Sequence, residues 1–259
     1  MRRISCDMRR GARGKRSAGG GGGPTPPPPV KFADMRATGV DALFVSDTVW
    51  GVSAAPFTIA YVGYLIALPV ADTVPYIYGR TSSSIYPTRG TAFCGIAANQ
   101  VLWTIRTPSG ATQTPAHAHV AGDVGKCHRY VLVHDGSAVR LYVNGVQVGA
   151  GTAVSGFTAP SADRIWLGYG WTWAGSNCEW LGCIGLTMTN SALSGAQIAT
   201  WDASVVSAGA VQHLNGSALT WDANDWSGTG IWADKSATYG LSELTTNETV
   251  TTLGSPTWA

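Results

Sequence analysis

The chain of 259 residues is 45% hydrophobic and 12% charged, and it contains 33 glycines and 13 prolines. This apolar content supports a real core, and the scarcity of charges with many turn formers argues against a helical or α/β protein. The net charge of +2 hides an asymmetry: residues 1–23 carry seven Arg and Lys against one Asp, a balance of +6, which leaves −4 for the rest. The basic character therefore belongs to the start of the chain.

Residues 1–29 are predicted to form a basic, irregular arm. A glycine run at 19–23 favours flexibility, and the prolines at 24 and 26–29 favour a stiff polyproline stretch. We expect a solvated tail; the alternatives are an arm that contacts nucleic acid and one that threads into a neighbouring subunit. The residues that would contact such a partner are Arg2, Arg3, Arg9, Arg10, Arg13, Lys15 and Arg16.

Neither export nor membrane insertion is indicated by the sequence. The basic start leads into Gly and Pro where a secretory signal would have its apolar segment. The most apolar run, 57–71, contains Gly63 and Pro69 and is too short and broken to span a bilayer. We therefore expect a soluble protein without a classical signal peptide.

The cysteines do not form a recognisable framework. The count of five is odd and no CxxC spacing occurs, which argues against a zinc ribbon or a complete set of disulfides. We expect Cys6, Cys94, Cys127, Cys178 and Cys183 to be mainly small buried hydrophobes. A bridge between Cys178 and Cys183 across a loop is the alternative.

Short strands are predicted along residues 30–119, most clearly at 42–45, 57–68, 76–78, 92–97 and 101–106, with turn sequences between them. The run at 57–68 is either one long bent strand or a strand pair. His117 and His119 lie two apart, on the same side of a strand. We expect exposed strand residues here; metal ligation is the alternative, but no third ligand is suggested nearby.

The clearest pattern lies at 129–149. Residues 130–133 are apolar at every position, as in a strand covered on both faces, and the Asp135-Gly136-Ser137 turn leads into the next strand. Asn144-Gly145 suits a type I′ turn, which places Val143 opposite Val146 and Leu141 opposite Val148. Three neighbouring antiparallel strands are predicted.

The loop that follows the strand at 164–169 is the most unusual segment of the chain. It interleaves large aromatic residues with Gly, Ser and Asn, a composition that suits the apolar faces and hydroxyls of sugars. The candidate glycan-binding residues are Tyr169, Trp171, Trp173, Asn177, Glu179 and Trp180. The alternative is that these rings plug one end of a sandwich.

After the strand at 180–189, Ser194 and Gln197 match a capping box, so a short helix over 196–201 is predicted. The remainder, 211–259, is polar and aromatic, and its Gly, Thr and Trp content favours extended segments.

The segments HRYVLVHDGSAVRLYVNGVQV at 128–148, IWLG at 165–168 and WLGCI at 180–184, followed by Ala192-Leu193-Ser194 and Gln197-Ile198, resemble the laminin G-like branch of the concanavalin A-like lectin/glucanase sandwiches. The resemblance covers roughly residues 57–205. It implies an all-β, two-sheet antiparallel jelly-roll sandwich over 30–259. It also implies a non-catalytic domain that holds glycans or proteins through rim loops, with calcium in some members.

Three departures from the family pattern matter. Cys127 stands where the family usually has Trp, which suggests a repacked edge, and Gly185-Leu186 replaces an Asp-Glu pair, which puts an ion contact there in doubt. The segments at 220–236 and 253–258 resemble the family's opening strands although they come last. We expect residues 210–259 to close the sandwich in permuted order; a partial extra unit completed by another subunit is the alternative.

An enzymatic role is not favoured. Retaining glucanases need two carboxylates about 5 Å apart, usually from an E-x-D-x-x-E run, and the sequence has none. Asp72, Asp123, Asp135, Asp163 and Glu179 are isolated. Asp222, Asp225 and Asp234 are separated by Gly-rich loops, and no G-x-S-x-G or phosphate-binding motif occurs.

The sequence therefore predicts a non-catalytic, surface-exposed binding or structural module without a cofactor. The favoured setting is a virion, as a phage decoration or fibre protein that contacts host surface glycans and lies in an oligomer or assembly. The first alternative is a purely architectural subunit whose aromatic loop and arm contact neighbouring subunits; the second is a glycan-active enzyme.

Overall fold

The structure is a computed structural model, which describes residues 29–34, 43–46, 56–71, 73–78, 90–107, 110–154, 157, 164–170, 180–225, 231–232, 242–243, 249–254 and 256–259. The strands in the first half are β1 (Lys31–Asp34), β2 (Leu43–Ser46), β3 (Phe57–Leu65), β4 (Thr73–Tyr78), β5 (Gly90–Ala97), β6 (Gln100–Thr107), β7 (Gly110–Gln113), β8 (His117–Ala118) and β9 (Lys126–His134). Those in the second half are β10 (Ala138–Val143), β11 (Val146–Ala153), β12 (Arg164–Gly170), β13 (Leu181–Thr189), β14 (Ser217–Asp222), β15 (Ile231–Trp232), β16 (Ser242–Glu243), β17 (Thr249–Thr252) and β18 (Thr257–Trp258). The helix α1 spans Gly195–Ala208, and 3-10 turns span Ala121–Asp123 and Ala223–Asp225.

Two sheets account for most of the described strands. The large sheet has the order β11-β10-β9-β3-β13-β1-β17, with β14 paired to β13 and β18 paired to β9. The small sheet has the order β2-β12-β4-β5-β6-β7, with β8 paired to β6, and β15 pairs with β16. β18 runs parallel to β9, and the other pairs are antiparallel. The predicted two-sheet antiparallel sandwich is confirmed.

The middle strands of the large sheet are buried on both faces. Alternate side chains of β3 and β9 meet the small sheet, so that the ring centroids of Tyr130 and Phe93 lie 4.6 Å apart. The residues between them point the other way: Val62 and Val131 pack in a second cluster with Ile198 and Val205 of α1. This double burial explains the nearly unbroken apolar runs of β3, β9 and β13.

The central hairpin has the predicted register. Val143 pairs with Val146 and Leu141 with Val148, and β9, β10 and β11 are neighbours in that order. Asn144 and Gly145 have φ values of 51° and 78°, the conformation that an Asn-Gly turn accepts most easily. The sequence signal for this hairpin is therefore confirmed.

Two predicted boundaries were wrong. The strand at 57–68 ends at Leu65, because the next two amides, of Ile66 and Ala67, donate to the carbonyl of Trp180 instead of a strand partner. The helix begins with the predicted Ser194–Gln197 capping box but reaches Ala208 instead of stopping at 201. Burial of Ile198, Trp201 and Val205 on the sheet stabilises the extra turns.

The closing segments contribute strands to the large sheet. β14 pairs with β13, β17 pairs with β1, and β18 pairs with β9. Trp258 lies opposite Cys127 in this last pair and packs against the cluster that contains Cys127. Trp258 thus covers the edge at Cys127, the position where the family usually has a tryptophan.

Three of the cysteines, Cys94, Cys127 and Cys183, are buried among apolar residues. Burial raises the pKa of Cys94 and of Cys127 to about 12, so neither is a reactive thiol at neutral pH. Cys6 and Cys178 lie outside the described residues, as do residues 1–28 with the predicted basic arm.

Candidate functional site

The aromatic loop connects the two sheets at one end of the sandwich. β12 ends at Gly170, which pairs with Thr73 of β4, and β13 begins at Leu181, which pairs with Leu65 of β3. The predicted residues Trp171, Trp173, Asn177 and Glu179 lie between these points, outside the described residues. Tyr169, the last residue of the predicted strand at 164–169, belongs to β12, where its backbone pairs with Val74.

Trp180 is a buried anchor, and its prediction as a sugar-binding residue was wrong. It is 1% exposed, and its ring centroid lies 6.2 Å from that of Phe93 in the core. The indole N–H donates to Thr73 Oγ1 at 2.6 Å, and Thr73 Oγ1 donates to the Val70 carbonyl at 2.8 Å. Sequence spacing alone did not reveal that Trp180 already belongs to the sheet.

The surface around the two ends of the loop, Gly170 and Trp180, consists of residues 66–71, 96–99, 117–125 and 144–146, which we call the rim. Backbone hydrogen bonds join three of its segments, since the Asn99 N–H donates to the Pro69 carbonyl and the His119 N–H donates to the Asn99 carbonyl. The exposed large hydrophobic residues of the described chain all lie on the rim, with exposed fractions of 36% to 69%: Val70, Ile96, Val120, Val124 and Val146. Concentration of apolar side chains at one end of a molecule is typical of a contact surface.

A histidine cluster lies beneath the rim. His119, predicted to be exposed, is 2% exposed; its Nδ1 lies 3.3 Å from Asp123 Oδ2, and its Nε2 lies 2.9 Å from the Tyr130 hydroxyl. The His119 ring centroid is 4.8 Å from those of both His117 and His128. Because side chains alternate along a strand, the sequence predicted His117 and His119 on the same side. It could not show that residues distant in the chain bury His119.

The cluster is built to hold neutral imidazoles. Burial lowers the pKa of His119 to about 4, and the neighbouring histidines add to this effect. Burial also places the pKa values of His117 and His128 below their ordinary value. Although burial opposes it, the hydrogen bonds from Val120 and His119 hold the pKa of Asp123 below its usual range.

The ring nitrogens of His119 and His128 already have protein partners. Those of His128 lie 3.2 Å from the Asp123 carbonyl oxygen and 3.2 Å from Asn144 Nδ2, and both of His119 are engaged as described. In the described part of the chain, no group of three or more His, Cys, Asp or Glu is placed to hold a metal ion. At the family's Asp-Glu position, Gly185 and Leu186 are buried in β13 and offer no side-chain oxygen for calcium.

Two of the carboxylates in the described part of the chain, Asp135 and Asp222, have structural partners. Asp135 accepts hydrogen bonds from the Ser137 and Ala138 amides, which together with Arg140 hold its pKa well below the usual range. The buried Asp222 accepts from the Val211 and Asn224 amides, each at 2.8 Å. Asp72, Asp163, Glu179 and Asp234 lie outside the described residues.

A concave surface, not predicted from the sequence, lies beside α1. This groove of about 430 Å³ runs between α1 and the segment 213–215. Leu193 and Trp201 are buried at its floor, whereas Gln197, Thr200 and Asn215 are exposed along it. The one sequence signal that could have indicated it is the pairing of a capped helix with a tryptophan on its buried face.

A two-sheet antiparallel sandwich whose loops meet at one rim defines the lectin-like class of β-sandwich proteins. The model of the concanavalin A-like lectin/glucanases superfamily, in its laminin G-like branch, matches residues 42–199. This is more than half of the chain, and the chain belongs to that superfamily. No protein in a search of curated sequences matches it.

Solved structures with the same fold have little sequence identity to the chain. A candidate carbohydrate-binding protein from Bacteroides ovatus ATCC 8483 has a TM-score of 0.59 and 14% identity, over 88% of this chain and 61% of that one. The receptor-binding domain of botulinum neurotoxin mosaic serotype C/D has a TM-score of 0.51 and 12% identity, over 68% of this chain and 42% of that one. The chain therefore spans less than two thirds of these proteins, and the likeness concerns the fold. No helix of the described residues is long and apolar enough to cross a membrane.

Proposed function

We propose that the chain is a non-catalytic binding module that recognises a glycan at the rim. Trp171 and Trp173 supply flat apolar faces, and Asn177 and Glu179 supply hydrogen bonds to hydroxyl groups. Tyr169 stands at the base of the loop, at the end of β12. Trp180 is not part of the contact, since it belongs to the core.

One observation carries this proposal: the aromatic loop is attached where the exposed apolar residues of the described chain are concentrated. Its ends are Gly170, paired in the small sheet, and Trp180, hydrogen-bonded to Thr73. Val70 and Ile96, both exposed, lie in the segments next to these ends. A loop held at both ends by a rigid sandwich can present side chains to a ligand at low entropic cost.

The chemistry of the loop suits a sugar better than an ion. Aromatic rings bury the C–H faces of a pyranose. An amide group donates hydrogen bonds to its hydroxyls and accepts from them, and a carboxylate accepts from them. The superfamily to which the chain belongs is named for lectins and glucanases, and the B. ovatus neighbour is a candidate carbohydrate-binding protein. These facts support the glycan class without naming the sugar.

A glycan array tests the proposal. The intact protein should bind a subset of glycans. The double variant Trp171→Ala and Trp173→Ala should bind them with an affinity lower by about tenfold or more, because it loses the stacking energy of two rings. The variant Trp171→Tyr with Trp173→Tyr keeps flat rings and should retain most of the binding. Unchanged binding in the alanine variant would show that the loop is not the contact.

We further propose that the module works on the surface of a virion, as a phage decoration or fibre protein, with the basic arm held against neighbouring subunits. Support for this setting is compositional: a basic, Gly- and Pro-rich arm precedes an adhesive sandwich. The competing function is an architectural subunit, which the exposed rim valines favour because apolar contacts suit protein interfaces. A stable monomer that binds sugar supports the glycan-binding proposal; obligate assembly without sugar binding supports the architectural one.

A further inference from the structure

The groove beside α1 has an apolar floor and polar walls. Leu193 and Trp201 are 6% and 5% exposed, and the Trp201 indole N–H is held in place by the Gln212 carbonyl at 2.8 Å. The walls come from exposed residues on two elements, Gln197 and Thr200 of α1 and His213 and Asn215 of the following segment. A rigid floor with hydrogen-bonding walls is the usual form of a small-molecule site.

The wall side chains have hydrogen-bonding capacity to spare. Gln197 uses only its Oε1, which accepts from the Ser194 amide and hydroxyl, so both Nε2 hydrogens remain. The Asn215 side-chain amide makes no hydrogen bond with the described residues. His213 Nδ1 lies 2.9 Å from Thr220 Oγ1, which leaves Nε2.

Among the described residues that line the groove there is no Asp, Glu, Lys or Arg, so this part of the chain gives it no fixed charge. A charged ligand would lose hydration there without gaining an ionic partner. A hydroxyl group, in contrast, both donates and accepts, and so can use amide N–H, amide oxygen and the lone pairs of Thr200 Oγ1 together. The volume of about 430 Å³ suits a ligand of small-molecule size.

We propose that this groove is a second binding site, separate from the rim, for a neutral sugar of about one or two residues. The C–H face of the sugar packs on Leu193 and the exposed part of Trp201, and its hydroxyls bond Gln197, His213 and Asn215. The site does not depend on the aromatic loop, so it stands or falls independently of the proposed rim function.

Titration of the full chain with lactose, cellobiose and maltose, followed by nuclear magnetic resonance, tests this site. At least one of these sugars should shift the side-chain amide signals of Gln197 and Asn215 and the indole signal of Trp201. Asn215→Ala should weaken binding about three- to tenfold, the loss expected for one or two neutral hydrogen bonds. Thr200→Trp should abolish the shifts by filling the groove.

A matched control is available on the same helix. Ala203 is exposed and does not line the groove, so Ala203→Trp should bind the sugar as the unchanged protein does, and so should the rim variant Trp171→Ala with Trp173→Ala. The proposal is overturned if none of the three sugars moves the groove signals up to its solubility limit. It is equally overturned if Ala203→Trp weakens binding as much as Thr200→Trp, or if only the rim variant loses it.

Discussion

Arg129 joins three parts of the molecule. It lies on the face of β9 that meets α1 and is 2% exposed. Its Nε and Nη2 each donate to one oxygen of Asp202 at 2.8 Å, and Nη1 donates to the carbonyls of Cys127 and Ala259. The Trp258 ring centroid lies 5.5 Å from the guanidinium carbon. Helix, sheet and closing strand therefore share one ionic centre.

Replacement of Arg129 should be strongly destabilising. Arg129→Met leaves Asp202 without its partner and two carbonyls without their donor, which should lower the free energy of unfolding by about 3–5 kcal/mol. The matched control is Arg140→Met, because the Arg140–Asp135 pair is 31% and 28% exposed and should be worth about 1 kcal/mol or less. Urea denaturation measures both. Adding Asp202→Leu to Arg129→Met should restore part of the loss; equal effects of the two arginine changes would contradict this account.

At the level of elements, the β10–β11 hairpin is tied to its surroundings through its turn. The side-chain Oδ1 of Asn144 accepts from the backbone N–H of Arg129 at 3.1 Å. The backbone N–H of Asn144 donates to the Arg129 carbonyl at 2.9 Å. Gly145 has a positive φ of 78°, and a Cβ there would lie 3.2 Å from Asp202 Cγ. The turn thus packs on α1 as well as on β9.

Gly145→Ala should therefore cost more than an ordinary glycine replacement. The left-handed conformation costs an L-residue about 1–2 kcal/mol, and the close approach to Asp202 adds to this. Gly122→Ala is the control, because no atom beyond the adjacent residues lies within 4 Å of a Cβ there. Its effect should stay within about 0.5 kcal/mol. Thermal unfolding of the two variants measures the difference, and a Gly145→Ala melting temperature equal to that of Gly122→Ala would refute the argument.

Elements with short-range causes could be predicted from the sequence. The Asn-Gly turn and its register, and the start of α1 at Ser194, depend on residues close in the chain. The end of α1 could not be predicted, because it is set by burial of Val205 against a sheet that the local sequence does not reveal. The cover that Trp258 provides for Cys127 joins residues more than a hundred positions apart, and no local pattern contains it.

At the scale of the whole molecule, the same distinction applies to the candidate site. The aromatic loop was found by its composition, but Trp180 was misplaced because its neighbours in space, Thr73 and Phe93, are distant in sequence. The groove beside α1 was missed because its walls come from two elements with ordinary polar residues. Sequence patterns locate segments, whereas burial decides which of their residues face a ligand.

The histidine cluster should make the stability of the whole fold depend on pH. In the folded chain the pKa of His119 is lowered from 6.5 to about 4, so the unfolded chain takes up this proton first as the pH falls. The contribution of neutral His119 to the free energy of unfolding is fully present above pH 6.5 and is lost as the pH drops towards 4. For His119 alone, the free energy of unfolding falls by about 3 kcal/mol over this range.

Urea denaturation between pH 7 and pH 4 measures this dependence. His119→Gln should flatten it relative to the unchanged protein. His117 and His128, whose pKa values are also lowered, act in the same direction and would leave some slope in the His119 variant. A pH dependence identical in His119→Gln and the unchanged protein would exclude His119 as its source.

The middle strands of the large sheet, β3, β9 and β13, are enclosed on one side by the small sheet and on the other by α1. They consequently have no free surface on which new chemistry can evolve without disturbing the interior. Diversification of what such a protein recognises is channelled into the connecting segments, where residues can be exchanged, lengthened or shortened while the scaffold goes on folding as before.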